Sequence, residues 1–227
     1  MPNPKTTRLF LVRHGATQLS AEDRFAGSIN PDLSEEGIFQ AERLAARLAD
    51  DQITAVYCSP MLRTVHTATI LAKPHHLTPI QRDGLREISH GHWEGKRRAD
   101  VEKECPEEYA AWEEDPFTFA PQDGEAGVNV IARALPVIRE IVLKHRGENV
   151  LVVSHKATLR LLISSLLGFD ARGYRDRLDQ SPACLNVIDL KDPVRARLML
   201  FNDVSHYVDQ PSQSDGRLSK WWDTPGK

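Results

Sequence analysis

The chain has 227 residues, 29 Lys+Arg against 32 Asp+Glu, a formal net charge of -3, and 41% hydrophobic with 27% charged residues. That balance fits one sizeable globular core and excludes a disordered or collagen-like chain and a nucleic-acid binder that works by bulk charge. No apolar run approaches the roughly 20 residues of a spanning helix, and Met1-Pro2-Asn3-Pro4-Lys5 leads straight into a short strand-like run without a signal-peptide core, so the expectation is a cytoplasmic protein. Cys58, Cys105 and Cys184 are odd in number and far apart, with no disulfide framework and no thiolate zinc spacing.

Leu9-Phe10-Leu11-Val12 is a continuous apolar run, the pattern of a parallel strand covered on both faces. Ile38, Ala41, Leu44, Ala45 and Leu48 recur at helical spacing behind Leu33-Ser34-Glu35-Glu36, which predicts a helix over about 34–49 with Ser34 as its cap. Ala55-Val56-Tyr57-Cys58 reads as a second strand ending at Ser59-Pro60, followed by a helix carrying Leu62, Val65, Ile70 and Leu71. A third strand is expected near Leu85. The stretch from about 90 to 125, richer in Glu, Pro, Trp and Tyr, reads as a cap insert of short helices and loops over one end of the sheet. Val128, Ile131, Leu135, Ile138 and Ile141 predict a helix over about 126–145, in which Pro136 implies a kink or a break.

Val150-Leu151-Val152-Val153 is a second double-covered strand, and the helix after it stops near Gly168. Strands near 185–188 and 198–201 complete an alternation that predicts an α/β fold in one domain over residues 1–208. The polar tail, 209–227, lacks periodicity; its Trp221-Trp222 pair either frays, packs back or touches a second copy in a homodimer.

Ligands of open α/β sheets bind beyond the carboxyl ends of the strands, so the residues after each apolar run carry the functional expectation. They are Arg13-His14-Gly15-Ala16-Thr17, Ser59 to Thr64, Arg86-Glu87-Ile88 and Ser154-His155-Lys156. Each cluster alone is more often a turn, a helix start or a surface carboxylate; convergence at one sheet edge is what makes them a site. Arg13 and Arg63 offer forked, permanently charged donors that match phosphate oxygens. A neutral imidazole at His14 can attack phosphorus, His155 supplies a further donor, and Glu87 is the candidate to protonate a leaving alkoxide. The scheme needs no metal and no cofactor.

These residues resemble the histidine phosphatase superfamily in its phosphoglycerate mutase-like branch. Leu11-Val12-Arg13-His14-Gly15-Ala16-Thr17 resembles the R-H-G-x-T signature, and Leu33-Ser34-Glu35-Glu36-Gly37 with Gln40-Ala41 the following helix start. Ser59 to Thr64 with Thr67-Ala68, Leu85-Arg86-Glu87 with Gly91 to Gly95, Asp123-Gly124-Glu125 and Val152-Val153-Ser154-His155 resemble the remaining blocks. The resemblance implies a three-layer α/β/α sandwich with a mostly parallel sheet. It also implies His14 as the phosphorylated nucleophile, phosphate held by Arg13, Arg63 and His155, and Glu87 as acid/base. Thr17, Arg24 and Lys156 are added as candidate substrate contacts. The chain departs from the pattern at Lys156, where the family usually has Gly, at Gln18-Leu19 in place of Trp and Asn, and at Ala126 in place of Ser.

The expected activity is hydrolysis of a small phosphomonoester such as a sugar phosphate, a phosphoglycerate-like acid or phosphoserine. A mutase is the alternative, disfavoured by the short insert between Glu87 and His155; an inactive phosphate-binding module is a third reading, suggested by Lys156. A metal hydrolase built on His90-Gly91-His92 or His75-His76 lacks a convincing carboxylate set. Lys96-Arg97-Arg98 reads as a solvated loop or as a rim attracting anionic substrate, and with Lys156 it hints at a second anionic group on the substrate. Trp93 and Trp112 either line the pocket or pack the cap. Neither nucleic acid nor membrane is an expected partner.

Overall fold

The computed structural model describes residues 6–18 and 24–208, so the opening residues, Leu19 and the Trp221-Trp222 tail lie outside the described residues. Six strands form one sheet: β1 (Thr7–Arg13), β2 (Ile53–Cys58), β3 (Ile80–Gln81), β4 (Asn149–Ser154), β5 (Leu185–Leu190) and β6 (Ala196–Asp203), in the order β3-β2-β4-β1-β5-β6. The β1/β4, β2/β4 and β2/β3 pairs are parallel, and β5 runs antiparallel to both β1 and β6, so one strand of six points against the rest.

Alternate residues of the central strands go to opposite faces, as the two-residue period of a strand requires. Leu9, Leu11, Tyr57, Val150 and Val152 pack under α5 (Gly127–Lys144) and α6 (Lys156–Leu167). Phe10, Val12, Val56, Cys58, Leu151 and Val153 pack under α1 (Glu35–Leu48) and α2 (Leu62–Ala72). This is the three-layer α/β/α arrangement, with the central strands fully buried. In α1, Ser34 Oγ accepts from Gly37 N, as the Ser-Glu-Glu start predicts. Gly168, in the left-handed region at φ 72°, ends α6.

Two expectations are corrected. The third strand is the two-residue β3 rather than a strand ending near Leu85; Asp83–Leu85 instead forms a 3-10 turn. There the chain leaves the sheet to meet α5. A Cβ on Gly84 would stand 2.6 Å from the Arg133 carbonyl oxygen, so Gly is needed for that approach. Pro136 does not break its helix, which runs as one element from Gly127 to Lys144. Pro136 and Ala132, whose carbonyl loses its partner, are both exposed, so water can satisfy the freed oxygen.

The cap comprises α3 (Arg98–Glu104) and α4 (Pro106–Glu114), which together with a 3-10 turn at Gly91–Trp93 enclose a small aromatic core of Phe25, Trp93, Val101, Tyr109 and Trp112. Trp93 is fully buried and Trp112 nearly so, so both pack the cap. Arg24 and Arg97 pair as an isolated antiparallel bridge that ties the loop after β1 to the cap. A short helix α7 (Tyr174–Arg177) lies between α6 and β5; its Arg175 stacks over Trp112 at 3.8 Å and donates to Glu113. Among the described residues, no helix is long and apolar enough to cross a membrane.

Candidate active site

The loop after β1 is set by two glycines. A Cβ on Gly15 would stand 2.4 Å from the Gly37 carbonyl oxygen, and one on Gly37 would stand 2.1 Å from the Ala16 carbonyl oxygen. The loop therefore presses directly on the first turn of α1. Ser34 N and Oγ both donate to Ala16 O, while Ala16 N donates to Gln40 Oε1. These contacts fix the direction in which His14 leaves the strand.

His14 is 5% exposed, and its Nδ1 lies 2.7 Å from the Gly15 carbonyl oxygen. A carbonyl only accepts, so Nδ1 carries the proton and the neutral ring keeps its lone pair on Nε2. Burial first, then the charges of Arg63 and Arg13, hold the His14 pKa well below its ordinary 6.5. His155 packs against it edge-on with ring centroids 5.3 Å apart. Its Nε2 pairs with Ser59 Oγ at 2.8 Å. Burial and the positive neighbours, Arg63 foremost, also push the His155 pKa well down.

Arg13 and Arg63 are 8% and 2% exposed. Arg13 Nη1 donates to Gln180 O at 2.6 Å, and the Gln180 side chain is itself locked by a pair of reciprocal hydrogen bonds with the Asn186 carboxamide. Arg63 Nη1 and Nη2 donate to the carbonyls of Ile29 and Gly27, and burial lowers its pKa to about 10. Arg13 Nε, Arg63 Nε and His155 Nδ1 are buried without a hydrogen-bond partner among the described residues. Each such orphan costs about 1–3 kcal/mol. Three in one cluster, two of them on guanidiniums, make a place suited to an anion that can accept from them.

Glu87 lies at the start of α6. Its Oε1 accepts from Ile88 N, Thr158 N and Thr158 Oγ1, and its Oε2 from Ala157 N. His155 is the N-cap residue of α6 without a side-chain cap, so Glu87 fills that place from a different segment of the chain. Arg133 of α5 anchors the Glu87 loop. It donates to the carbonyls of Gly84, Arg86 and Glu87 while its Nε and Nη2 grip both oxygens of Glu125.

The five residues expected at one sheet edge, Arg13, His14, Arg63, Glu87 and His155, are thus brought together. Thr17 is buried beside them in the sequence block after β1, at 3% exposure. Arg24 Nη1 donates to the Gly95 carbonyl at 2.7 Å. Lys156 pairs with Asp179. Of the basic run, Lys96 pairs with Glu104, and Arg98 donates to Tyr109 and reaches Glu113, so two of its three charges are engaged within the cap.

Sequence reading gave Arg133 no role, and gave Ser59 and Glu94 none beyond membership of their motif blocks. The Glu94 carboxylate accepts from Ser28 N, Ser28 Oγ, Ser89 Oγ and His90 N, joining the Arg63-bound loop to the cap. The Gly-x-x-Glu-Gly spacing was the signal available for Glu94; Arg133, in mid-helix, had none. His90, from the weighed His-x-His pair, packs at a tilt against Phe25 and edge-on against Trp112, and burial lowers its pKa to about 4. His92, Cys105 and Glu108 offer ligand atoms within 4.8 Å of one another on the cap. There Glu108 already accepts from His92 Nε2, Trp93 Nε1 and Gln122 N.

The sequence profile of the histidine phosphatase superfamily (branch 1) matches residues 9–204. The chain belongs to this superfamily. Phosphoserine phosphatase 1 of Hydrogenobacter thermophilus is 36% identical over 163 residues, 72% of this chain and 77% of the relative. The adenosylcobalamin/alpha-ribazole phosphatase of Escherichia coli is 34% identical over 185 residues, covering 81% and 90%. Among solved structures, Bacillus stearothermophilus YhfR superposes with a TM-score of 0.82 at 32% identity, covering 88% of this chain and 98% of that one. As a histidine phosphatase superfamily member, the chain shares its fold and its sequence blocks with phosphatases of small phosphorylated compounds.

Proposed function

We propose that the protein is a metal-independent phosphomonoesterase that hydrolyses a small phosphorylated metabolite through a phosphohistidine on His14. The observation that carries this reading is the state of His14: a neutral imidazole whose Nδ1–H is spent on Gly15 O, with Nε2 as its basic atom, set between two guanidiniums with unpartnered Nε–H groups. Arg13, Arg63 and His155 hold the phosphoryl group. Their fixed positive charge meets the charge that spreads over the equatorial oxygens as the transition state forms.

In the first step the Nε2–P bond forms as the P–O bond to the leaving group breaks, and Glu87 gives the departing oxygen a proton. In the second, water attacks phosphorus, passes a proton to Glu87, and the P–N bond breaks to release inorganic phosphate and restore His14. Both carboxylate oxygens of Glu87 are held by the first turn of α6 and by Ile88, which keeps the acid/base group in place between the steps.

The named phosphatase relatives and the short cap support hydrolysis over transfer to a second acceptor. The test is phosphate release from a panel of small phosphomonoesters in EDTA, comparing wild type with His14→Ala. Release that persists in EDTA and is lost in the variant is the expected result. Release lost in EDTA, or retained by His14→Ala, overturns the scheme. Acid-labile phosphate accumulating on His14 without release would instead identify a phosphotransferase.

A further inference from the structure

We propose that Lys156 and Arg160 form a second anion site next to the phosphate-binding cluster, and that it takes a carboxylate carried by the same phosphorylated compound. The proposal rests on the phosphomonoesterase reading, which supplies the phosphate end of the ligand. Lys156 opens α6 directly after His155. Lys156 pairs with Asp179, and Arg13 donates to the carbonyl of the next residue, Gln180, so the second site adjoins the phosphate-binding cluster.

Charge counting points to an anion. Lys156 Nζ lies 3.4 Å and Arg160 Nη2 3.0 Å from the same oxygen, Asp179 Oδ1. Among the described residues, Asp179 is the single carboxylate ion-paired with either side chain, so two basic groups share one carboxylate. Arg160 is 6% exposed and its Nε has no partner among the described residues. Arg13 is close by: its Nη1 donates to the carbonyl of Gln180, the residue after Asp179, and its charge bears on both Lys156 and Arg160. With Arg13 and Arg63 assigned to the phosphoryl group and Arg160 matched by Asp179, protonated Lys156 is left as one positive charge without a counter-charge. A monoanion balances it, whereas a second phosphate dianion would not be matched.

The ammonium is also accessible and responsive. The Lys156 side chain is 30% exposed, against 8% for Arg160, so a ligand reaches the lysine first. Burial, then Arg160 and Arg13, lower the Lys156 pKa to about 7, with Asp179 opposing them. A carboxylate arriving beside it favours the charged form, and the resulting charge-assisted bond discriminates against ligands without that group. A lysine placed only to neutralise Asp179 would be redundant, because Arg160 already donates to that oxygen.

The test uses calorimetric binding to the full chain carrying His14→Ala, so that ligands are not consumed. 3-Phosphoglycerate is compared with glycerol 3-phosphate, which has a hydroxymethyl group in place of the carboxylate. The carboxylated ligand is expected to bind about 10- to 100-fold more tightly. Adding Lys156→Met should bring the ratio close to one, and Lys156→Arg should retain a preference. Equal affinities in the parent, or a preference unchanged by Lys156→Met, overturn the second site. Hydrolysis of p-nitrophenyl phosphate by the wild type tests the underlying reading separately. Its absence overturns the phosphatase assignment, while the affinity ratio still decides the carboxylate site.

Discussion

Replacing Arg133 by Met should uncouple the Glu87 loop from the body of the protein. Arg133 makes five donations, two to Glu125 at 2.7 and 2.8 Å and three to the carbonyls of Gly84, Arg86 and Glu87 at 2.8 to 3.1 Å. Methionine keeps the stem and removes every donor. A buried charge-assisted hydrogen bond is worth about 1.5–3 kcal/mol and a neutral one about 0.5–1.5. The pair is a quarter to a fifth exposed, so water recovers part of the loss. The net expectation is a destabilisation of about 2–4 kcal/mol, or roughly 4–16 °C in Tm for a chain of this size. Catalysis should fall further than stability suggests, because a displacement of about 1 Å in an acid/base group costs up to about 100-fold. That loss should appear in kcat, since the groups Arg133 holds belong to the Glu87 loop and Glu125 and not to the loops that carry Arg13 and Arg63. Arg133→Lys should recover little, as a lysine cannot bridge a carboxylate and three carbonyls at once. Thermal unfolding together with steady-state hydrolysis of p-nitrophenyl phosphate measures both effects. A variant within about 2 °C and twofold of wild type would refute the claim that this guanidinium positions Glu87.

Gly37→Ala places a methyl group 2.1 Å from the Ala16 carbonyl oxygen. Because that neighbour is backbone, the loop carrying His14 must move. We expect a loss of about 1–3 kcal/mol or more by denaturant melt, with activity falling by at least tenfold. The pH dependence has a definite sign. His14 acts in its neutral form and its pKa is lowered by burial and by Arg63 and Arg13, so the acid limb of kcat/KM should lie below pH 6.5 and not at it. Stability carries the same signature. His14, His90, His155 and His206 are held neutral by burial, with His90 and His206 at about 4. The unfolded chain binds protons below about pH 6.5 that the folded chain refuses, so Tm should decline as pH falls from 6.5 toward 4. A Tm that is flat over that window would contradict the burial of these rings.

Most of the site was legible because of where it lies. Arg13, His14, Ser59 and His155 each follow a continuous apolar run, and runs covered on both faces have few alternatives to parallel strands whose ends meet. Glu87 was found for its chemistry but given the wrong support. It follows a 3-10 turn that leaves the sheet, and its neighbours come from 46 residues further along at Arg133 and 71 further at Thr158. Such partners have no local signature. Arg133 sits in an amphipathic stretch where a partly buried arginine looks like any other polar position, and Pro136 read as a kink or a break because the pattern does not say which face of the helix meets water. The Lys96 to Arg98 run read as a surface feature, since its acidic partners belong to helices too short to predict with certainty of phase.

The capping of α6 by Glu87 ties the docking of its segment to the chemistry. The opening turn of α6 closes locally through Leu159 N and His155 O, but its first amides find their acceptors on a residue 70 positions upstream. The amides of Ala157 and Thr158 are therefore protected from solvent exchange only once the segment around Glu87 has docked. The group that caps this turn is also the proposed acid/base, so undocking of the Glu87 segment bares those two amides and displaces the carboxylate together.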